Sequence, residues 1–388
     1  MTPHLCHARR LLGGALWLAA AWAAHLGAQP APNASDVTGR VLTVTGPVAP
    51  EALGRTLMHE HILANFTIPN DEAERWKASG WTKPLGATDV RLYNAPVTLD
   101  ILSALALGAM NRDNMLLADE AVQAREVAEY KKLGGGTIVD VTASDVGRQP
   151  ESLRRIAQGS GLNIVAATGW YGRAWYPADM AERSIEQLAD EMVREIAGGI
   201  GGTGVRAGII GSIGITDPSN PLEDKVLRAA GRASRLTGAP LSVAVRGRDH
   251  ARVLDALAAE GADVHRVILG HADFFAEDVA YLKPLLDRGA SVEFDLIGRP
   301  PMVTRPWPID SRVAKAIVDL VREGYADRVL MSQGVDAKAG LRAYGGTGYA
   351  FIEQSFVPFM KRQGLSDADV NAILVGNPRR LLAFAAPR

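Results

Sequence analysis

The sequence has very little cysteine: among 388 residues Cys6 is the only one. A disulfide framework and a cysteine metal centre are therefore excluded from the body of the chain. It also lacks a charge of either sign in excess, since 42 basic and 43 acidic side chains leave a formal −1. Such a balance offers no electrostatic footprint for nucleic acid or anionic lipid. Past residue 24 no apolar run is long enough to span a bilayer. There is no low-complexity tract and no internal repeat beyond a strand–helix alternation. What is present is apolar mass, 47% hydrophobic against 22% charged, enough to offset chain entropy and exclude disorder over most of the length. The length fits one large α/β domain or two modest ones.

The N-terminus reads as an export signal. Arg9 and Arg10 precede the apolar run Leu11 to Ala24, and small residues follow, ending at Ala28. The run is too short and too alanine-rich for a stable membrane anchor. The expected organisation is a signal peptide over 1–28, a short linker over 29–38 and a barrel over 39–388, in a periplasmic or secreted protein. The paired arginines permit a twin-arginine route, although Leu11-Leu12 matches it loosely. Cleavage would remove Cys6, His4, His7 and His25, leaving His59, His61, His250, His265 and His271.

Eight short runs, several rich in Val and Ile, read as strands buried on both faces: Thr56 to Ile62, Gly136 to Thr142, Asn163 to Thr168, Arg206 to Ile213, Pro240 to Val245, Arg266 to Leu269, Ser291 to Leu296 and Arg328 to Met331. Helical patterns lie between them, at Glu120 to Leu133, Pro150 to Ser160, Ser184 to Ile196, Leu222 to Leu236, Asp249 to Glu260, Ala276 to Arg288 and Ser311 to Glu323. Ser184 with Gln187 forms a capping box, and Gly238 stops a helix. Eight strands with eight following segments predict an α/β fold, a single-domain (β/α)₈ TIM-type barrel with a long insertion after strand 1. A doubly wound sheet is disfavoured because no G-x-G-x-x-G follows the first strand. In the insertion, Trp76, Trp81 and Tyr93 suit satellite packing more than a lid.

Chemistry-bearing residues sit at strand ends. His59-Glu60-His61 closes the first strand, and alternation puts both imidazoles on one face and Glu60 on the other. In a barrel that face points inward, where active sites are built, and two converging imidazoles suit a divalent metal. Packing or capping also produces such pairs. His271 ends the sixth strand, where it either faces the same cavity or is a hydrogen-bonded core residue. His265 precedes its strand and belongs at the opposite end. His250 opens a helix, where a surface or capping role is expected. Asp140, Glu293 and Asp295 read as barrel salt-bridge or layer residues. Asp273 either orients His271 or caps the next helix. Lys338 and Arg246 are either substrate-anion ligands or solvated loop cations.

Thr56-Leu57-Met58-His59-Glu60-His61-Ile62, Gly136 to Thr142, Ile164 to Tyr171, Arg206 to Gly211, Leu269-Gly270-His271-Ala272-Asp273, Tyr344 to Tyr349 and Asn377-Pro378 together resemble the phosphotriesterase family of the amidohydrolase superfamily, which includes phosphotriesterase-related proteins and phosphotriesterase-like lactonases. The resemblance runs from Gly39 to Phe384. It implies a (β/α)₈ barrel in which two metals activate a bridging hydroxide that attacks a phosphotriester, lactone or other ester. It also implies His59, His61 and His271 as metal ligands. Three family ligand positions are substituted: the anionic bridge falls at Ser212, the strand-five histidine at Ala244 and the strand-eight aspartate at Gly334. Asp336, two residues on, is the candidate to replace that aspartate.

Two divalent ions about 3.7 Å apart repel by roughly 18 kcal/mol at an effective dielectric of 20. The shared anion normally offsets this, and Ser212 is neutral. The expectation is therefore at most one zinc or other divalent ion. The functional expectation is an exported metal-dependent hydrolase of impaired or mononuclear activity. The alternative is a catalytically inactive barrel, a pseudoenzyme, binding a small molecule or acting as a scaffold. A serine nucleophile at Ser212 activated by His271 is a third reading, without a G-x-S-x-G elbow to support it. The expected partner is a small-molecule substrate or ligand, with no nucleic acid, no stable membrane anchor and a possible homodimer.

Overall fold

The computed structural model describes residues 37–299 and 309–388, which fall in one compact unit. The expected signal peptide, and the linker as far as residue 36, lie outside the described residues. Eight parallel strands follow one another around the sheet in chain order. They are β1 (Arg55–Glu60), β2 (Gly135–Asp140), β3 (Asn163–Thr168), β4 (Ile209–Ile215), β5 (Leu241–Val245), β6 (Val267–Gly270), β7 (Ser291–Phe294) and β8 (Val329–Met331). Between them run α1 (Glu120–Lys132), α2 (Pro150–Ser160), α3 (Ile185–Ala197), α4 (Pro221–Thr237), α5 (His250–Ala259), α6 (Val279–Asp287) and α7 (Asp310–Arg322). This is the predicted (β/α)₈ barrel, nearly closed.

Residues of period two divide the strands between two cores. Met58, Val139, Val165, Ile209, Ile268 and Leu330 form one cluster, which the strands enclose. Leu57, Ile138, Ile164, Ile210, Val243, Leu269, Val292 and Met331 join the larger cluster that carries the apolar stripes of the helices. The seam between β8 and β1 is stitched by single bonds rather than a ladder. Gly334 N–H donates to the His59 carbonyl at 3.0 Å, and His59 N–H donates to Ser332 Oγ at 2.9 Å.

Local chemistry sets the helix ends. Ser184 and Gln187 form the expected capping box at α3. Pro221 follows the Asn220 cap of α4, and Gly238 ends that helix in the left-handed region at φ 71°. β4 begins at Ile209 rather than Arg206, because the backbone N–H of Ala207 goes to the Glu195 carbonyl of α3 rather than to a neighbouring strand. In the insertion, Trp76 is buried among Phe66, Ile68, Met115 and Trp175, with Trp81 and Tyr93 packed on them. Satellite packing is thus the role these aromatics take. No helix among the described residues is long and apolar enough to cross a membrane.

Candidate active site

Glu60 serves the barrel seam. Its carboxylate accepts from Ser332 Oγ at 2.7 Å, Gln333 N–H at 2.8 Å and Val335 N–H at 2.9 Å. With Glu60 so engaged, and the register against β2 slipping between Leu57 and Glu60, His59 and His61 occupy the other face. Their ring centroids are 5.6 Å apart and both are buried. His61 Nδ1 lies 3.0 Å from Thr142 Oγ1, and its ring packs edge-on against Phe66 and Tyr171.

His271 reaches the same place from the end of β6. It adopts φ 62°, a left-handed conformation unusual for a side chain larger than Asn, and its ring centroid is 5.7 Å from that of His59. Asp295, just past β7, clamps it. His271 N–H donates to both carboxylate oxygens at 3.0 and 3.1 Å, and Nδ1 lies 2.9 Å from Oδ1. The second oxygen of Asp295 is 3.0 Å from His59 Nδ1, and Glu293 Oε2 is 3.6 Å from the same atom.

Of the two roles expected for Glu293 and Asp295, barrel salt bridge or layer residue, the structure shows the salt bridge, and its partners are the histidines of the site. The sequence signal was available: Glu293-Phe294-Asp295 repeats the two-residue spacing of His59-Glu60-His61, so both carboxylates share one face. Asp273 neither orients His271 nor caps a helix. It accepts the N–H groups of Asp295 at 2.8 Å and Leu296 at 3.3 Å, fixing the end of β7. Asp140 is structural as expected, holding Ile62 N–H at 2.8 Å and Thr142 N–H at 2.9 Å.

Burial and charge oppose each other here. Burial disfavours a charge on His59, yet Asp295 and then Glu293 overcome it and raise the imidazole to about 10. Burial alone would raise Asp295, but His271 and His59 hold it well below the ordinary carboxylate range. Burial pushes Glu293 up to about 7 against the pull of His59. Burial, then the positive charges of His59 and Arg299, hold His61 well below the usual imidazole value.

His59, Glu293 and Asp295 each offer one donor atom, and these atoms lie within 4.8 Å of one another. His59 Nδ1 and both Glu293 oxygens are buried without an aligned hydrogen bond; the 3.0 Å approach of Asp295 to His59 is an ion-pair contact of poor direction. A buried carboxylate lacking a hydrogen bond calls for a proton or a cation. The donor set therefore fits one divalent ion. His61 and His271 stand beside that set, each engaged through Nδ1 by another group.

Of the substituted positions, Ala244 shares a pocket with His271 and Gly334 bonds the His59 carbonyl. Ser212 is fully buried and its Oγ has no hydrogen-bond partner, so it is not paired with His271 and the serine-nucleophile reading loses its base. Ala244 and His271 border a small pocket with Tyr171 and the exposed Arg246. Gly334 has φ +56°. Asp336 is bound by Arg299 Nη1 at 3.0 Å, and the same guanidinium donates to the Gly334 carbonyl. Asp336 is thus engaged by a cation rather than standing in for the aspartate. Lys338 is not a free anion ligand either: its Nζ lies 2.6 Å from Asp113. His250 is buried, not a surface or capping residue, with Nδ1 3.0 Å from the Tyr281 hydroxyl; the apolar face of α5 draws it in. His265 lies ahead of β6 against Gly289, at the end away from the site, as expected.

Comparison with known proteins accords with this geometry. The model of the phosphotriesterase family matches residues 39–382. An N-acetyltaurine hydrolase from Tetraodon nigroviridis is 33% identical over 361 residues, covering 90% of this chain and 99% of the relative. A phosphotriesterase-related protein from Nematostella vectensis is 33% identical over 359 residues, covering 89% and 99%. Among solved structures, a resiniferatoxin-binding protein from Rhodobacter sphaeroides superposes with TM-score 0.83 at 38% identity, over 90% of this chain and 97% of that one. The phosphotriesterase homology protein from Escherichia coli, complexed with phosphate in its active site, gives 0.70 at 29% identity, over 85% and 99%.

Proposed function

The chain belongs to the phosphotriesterase family of metal-dependent hydrolases, and from that premise we propose that it is an exported hydrolase of ester, lactone, phosphotriester or N-acyl amide bonds that works with at most one divalent ion. The observation that carries this reading is the clamp on Asp295. One carboxylate engages Nδ1 of both His59 and His271, and the Glu293 carboxylate, without an aligned hydrogen bond, lies beside it.

His59, Glu293 and Asp295 would hold the ion, which when bound supplies Lewis-acid polarisation of a carbonyl, phosphoryl or water oxygen. The protein's own part is positioning and proton handling. Asp295 accepts at His271 Nδ1 and so turns Nε2 toward the pocket that His271 shares with Ala244 and Arg246. There Nε2 takes a proton from the attacking water and returns it to the leaving group. Thr142 fixes the His61 ring, and Phe66 and Tyr171 shield it from water. Arg246 at the rim favours substrates with an anionic portion.

Two measurements test this. Elemental analysis after gentle purification should give no more than one metal per chain. A panel of aryl esters, lactones, phosphotriesters and N-acetyltaurine, included because several relatives carry that name, should show turnover that His271→Gln lowers by about 10²–10⁴-fold, the usual contribution of general acid–base catalysis. Two tightly held ions would refute the mononuclear reading. Absence of any turnover in the metal-loaded parent would leave an inactive barrel instead.

A further inference from the structure

The formal charge of −1 is an average over the whole chain, and the arginines are not evenly spread. Arg40, Arg266, Arg328, Arg379, Arg380 and Arg388 gather round the last helix, Asn377–Leu382, and the segment after it. Arg266 immediately precedes β6 and Arg328 immediately precedes β8, whereas His271 follows β6. The cluster lies at the N-terminal end of the strands, one strand length from the histidines.

Only part of this charge is neutralised. Arg388 Nη2 meets Asp263 at 3.2 Å and Arg328 Nε meets Asp327 at 3.5 Å. Among the described residues the other four guanidiniums meet main-chain carbonyls. Arg40 donates to Pro47 at 3.3 Å, Arg266 to Leu381 and Ala383, Arg379 to Glu51 at 3.1 Å and Arg380 to Asp327 at 2.6 Å. A carbonyl orients a guanidinium but leaves its net charge in place. The cations act on one another as a result. Burial lowers Arg266 below the ordinary guanidinium value, Asp263 opposes that, and Arg380 and Arg388 add to it. Arg380 is lowered by burial and then by Arg328.

A second, independent observation is where the chain enters. Thr38 pairs with Phe384, Gly39 N–H donates to the Phe384 carbonyl at 2.8 Å, and Phe384 N–H donates to the Arg40 carbonyl at 2.9 Å. The described chain begins on this same face. In sequence the apolar run ends at Ala24, thirteen residues before Val37. Thirteen extended residues span at most about 45 Å. A bilayer that engages the run during export is held within that distance of the arginines.

We propose that the end of the barrel opposite the histidines is a docking face for an anionic phospholipid surface. The arginines lie against headgroup phosphates, and the mouth of the active site stays open to solvent. The association is electrostatic and reversible, since no apolar element of this face enters the bilayer.

The test is flotation of the full chain with vesicles of phosphatidylcholine alone or with about 30% phosphatidylglycerol, where each arginine near the surface contributes about fivefold. The apolar run partitions into both compositions, so the ratio between them reads the charge. The parent should prefer anionic vesicles tenfold or more at about 0.1 M salt, and lose most of that near 1 M, as the screening length falls from about 10 to 3 Å. Arg40→Glu/Arg380→Glu/Arg388→Glu should lower the preference at least tenfold, and lysine at the same positions should keep it within threefold. Arg91→Glu/Arg112→Glu, exposed in the insertion at the other end of the barrel, should change it less than threefold. Circular dichroism confirms the fold of each variant. Equal binding of the parent to both compositions overturns the proposal, as does an undiminished preference in the folded glutamate variant. An equal loss in the lysine variant would trace the effect to hydrogen bonding within the fold, and an equal loss in the insertion variant would trace it to net charge; either overturns it too. So does saturable calorimetric binding of inorganic phosphate without any vesicle preference, which would mark an isolated anion site.

Discussion

Restoring the family aspartate by Gly334→Asp should damage the protein rather than repair it. Gly334 sits at φ +56°, a region that costs an L-residue about 1–2 kcal/mol. Its Cβ would meet the Asp295 carbonyl oxygen at 2.5 Å and Arg299 Nη2 at 3.0 Å. The arginine tip can swing away. The carbonyl is far less free to move, because Asp295 is held through its N–H on Asp273 and through its side-chain carboxylate on the His271 N–H. Forcing a group into such a space typically costs about 1–3 kcal/mol. The sum, about 2–5 kcal/mol, is a large share of a usual stability of about 5–15 kcal/mol. Gly334→Ala should cost nearly the same, since backbone and Cβ carry the penalty, and adding Arg299→Ala should recover only a minor part. Urea unfolding gives the stabilities, and elemental analysis gives the metal. Should Gly334→Asp prove as stable as the parent within about 0.5 kcal/mol, or acquire an additional ion, the steric reasoning is wrong.

Asp295→Asn should reduce zinc affinity by at least about 10–100-fold, the usual effect of losing a carboxylate that merely orients a ligand, because Asp295 is itself one of the three donors, and calorimetric zinc titration at fixed pH decides it; unchanged affinity would place the ion away from Asp295. His250, whose buried ring is pushed down to about 4 from 6.5, is neutral in the fold and protonated first in the unfolded chain. It therefore contributes stability that is fully present above about pH 6.5 and lost as pH falls toward 4, about 3 kcal/mol in all. Denaturation midpoints measured across that window should fall less steeply in His250→Gln, and parallel slopes would rule the linkage out. Export predicts a mature N-terminus near Gln29, to be read by N-terminal sequencing from the native host's envelope fraction; an uncleaved chain there would contradict it.

Much of this molecule is written locally in its chain. Periods of two and 3.6, with caps such as Ser184–Gln187 and Gly238, mark elements that match the observed ones within a few residues. Those signals are legible because they are short-range: alternation, caps and turn residues act over a few positions. His59, His61 and His271 were visible as strand-end histidines, and the structure brings His61 and His271 within 6 Å of His59, ring centre to ring centre.

What the tertiary structure alone decided is which groups face one another across the barrel. His59 and Asp295 are 236 positions apart, yet Nδ1 and Oδ2 come within 3.0 Å. The spacing of Glu293 and Asp295 put them on one face, but only closure of the sheet turned that face toward His59. His250 was misjudged for the same reason, since its burial depends on Tyr281 and Phe275 from the next strand–helix unit. Asp336 lost its expected role to Arg299, a residue 37 positions earlier on a different loop. Charge and hydrogen-bond pairing depend on three-dimensional distance and direction, and strand order converts chain separation into proximity only after the barrel has closed.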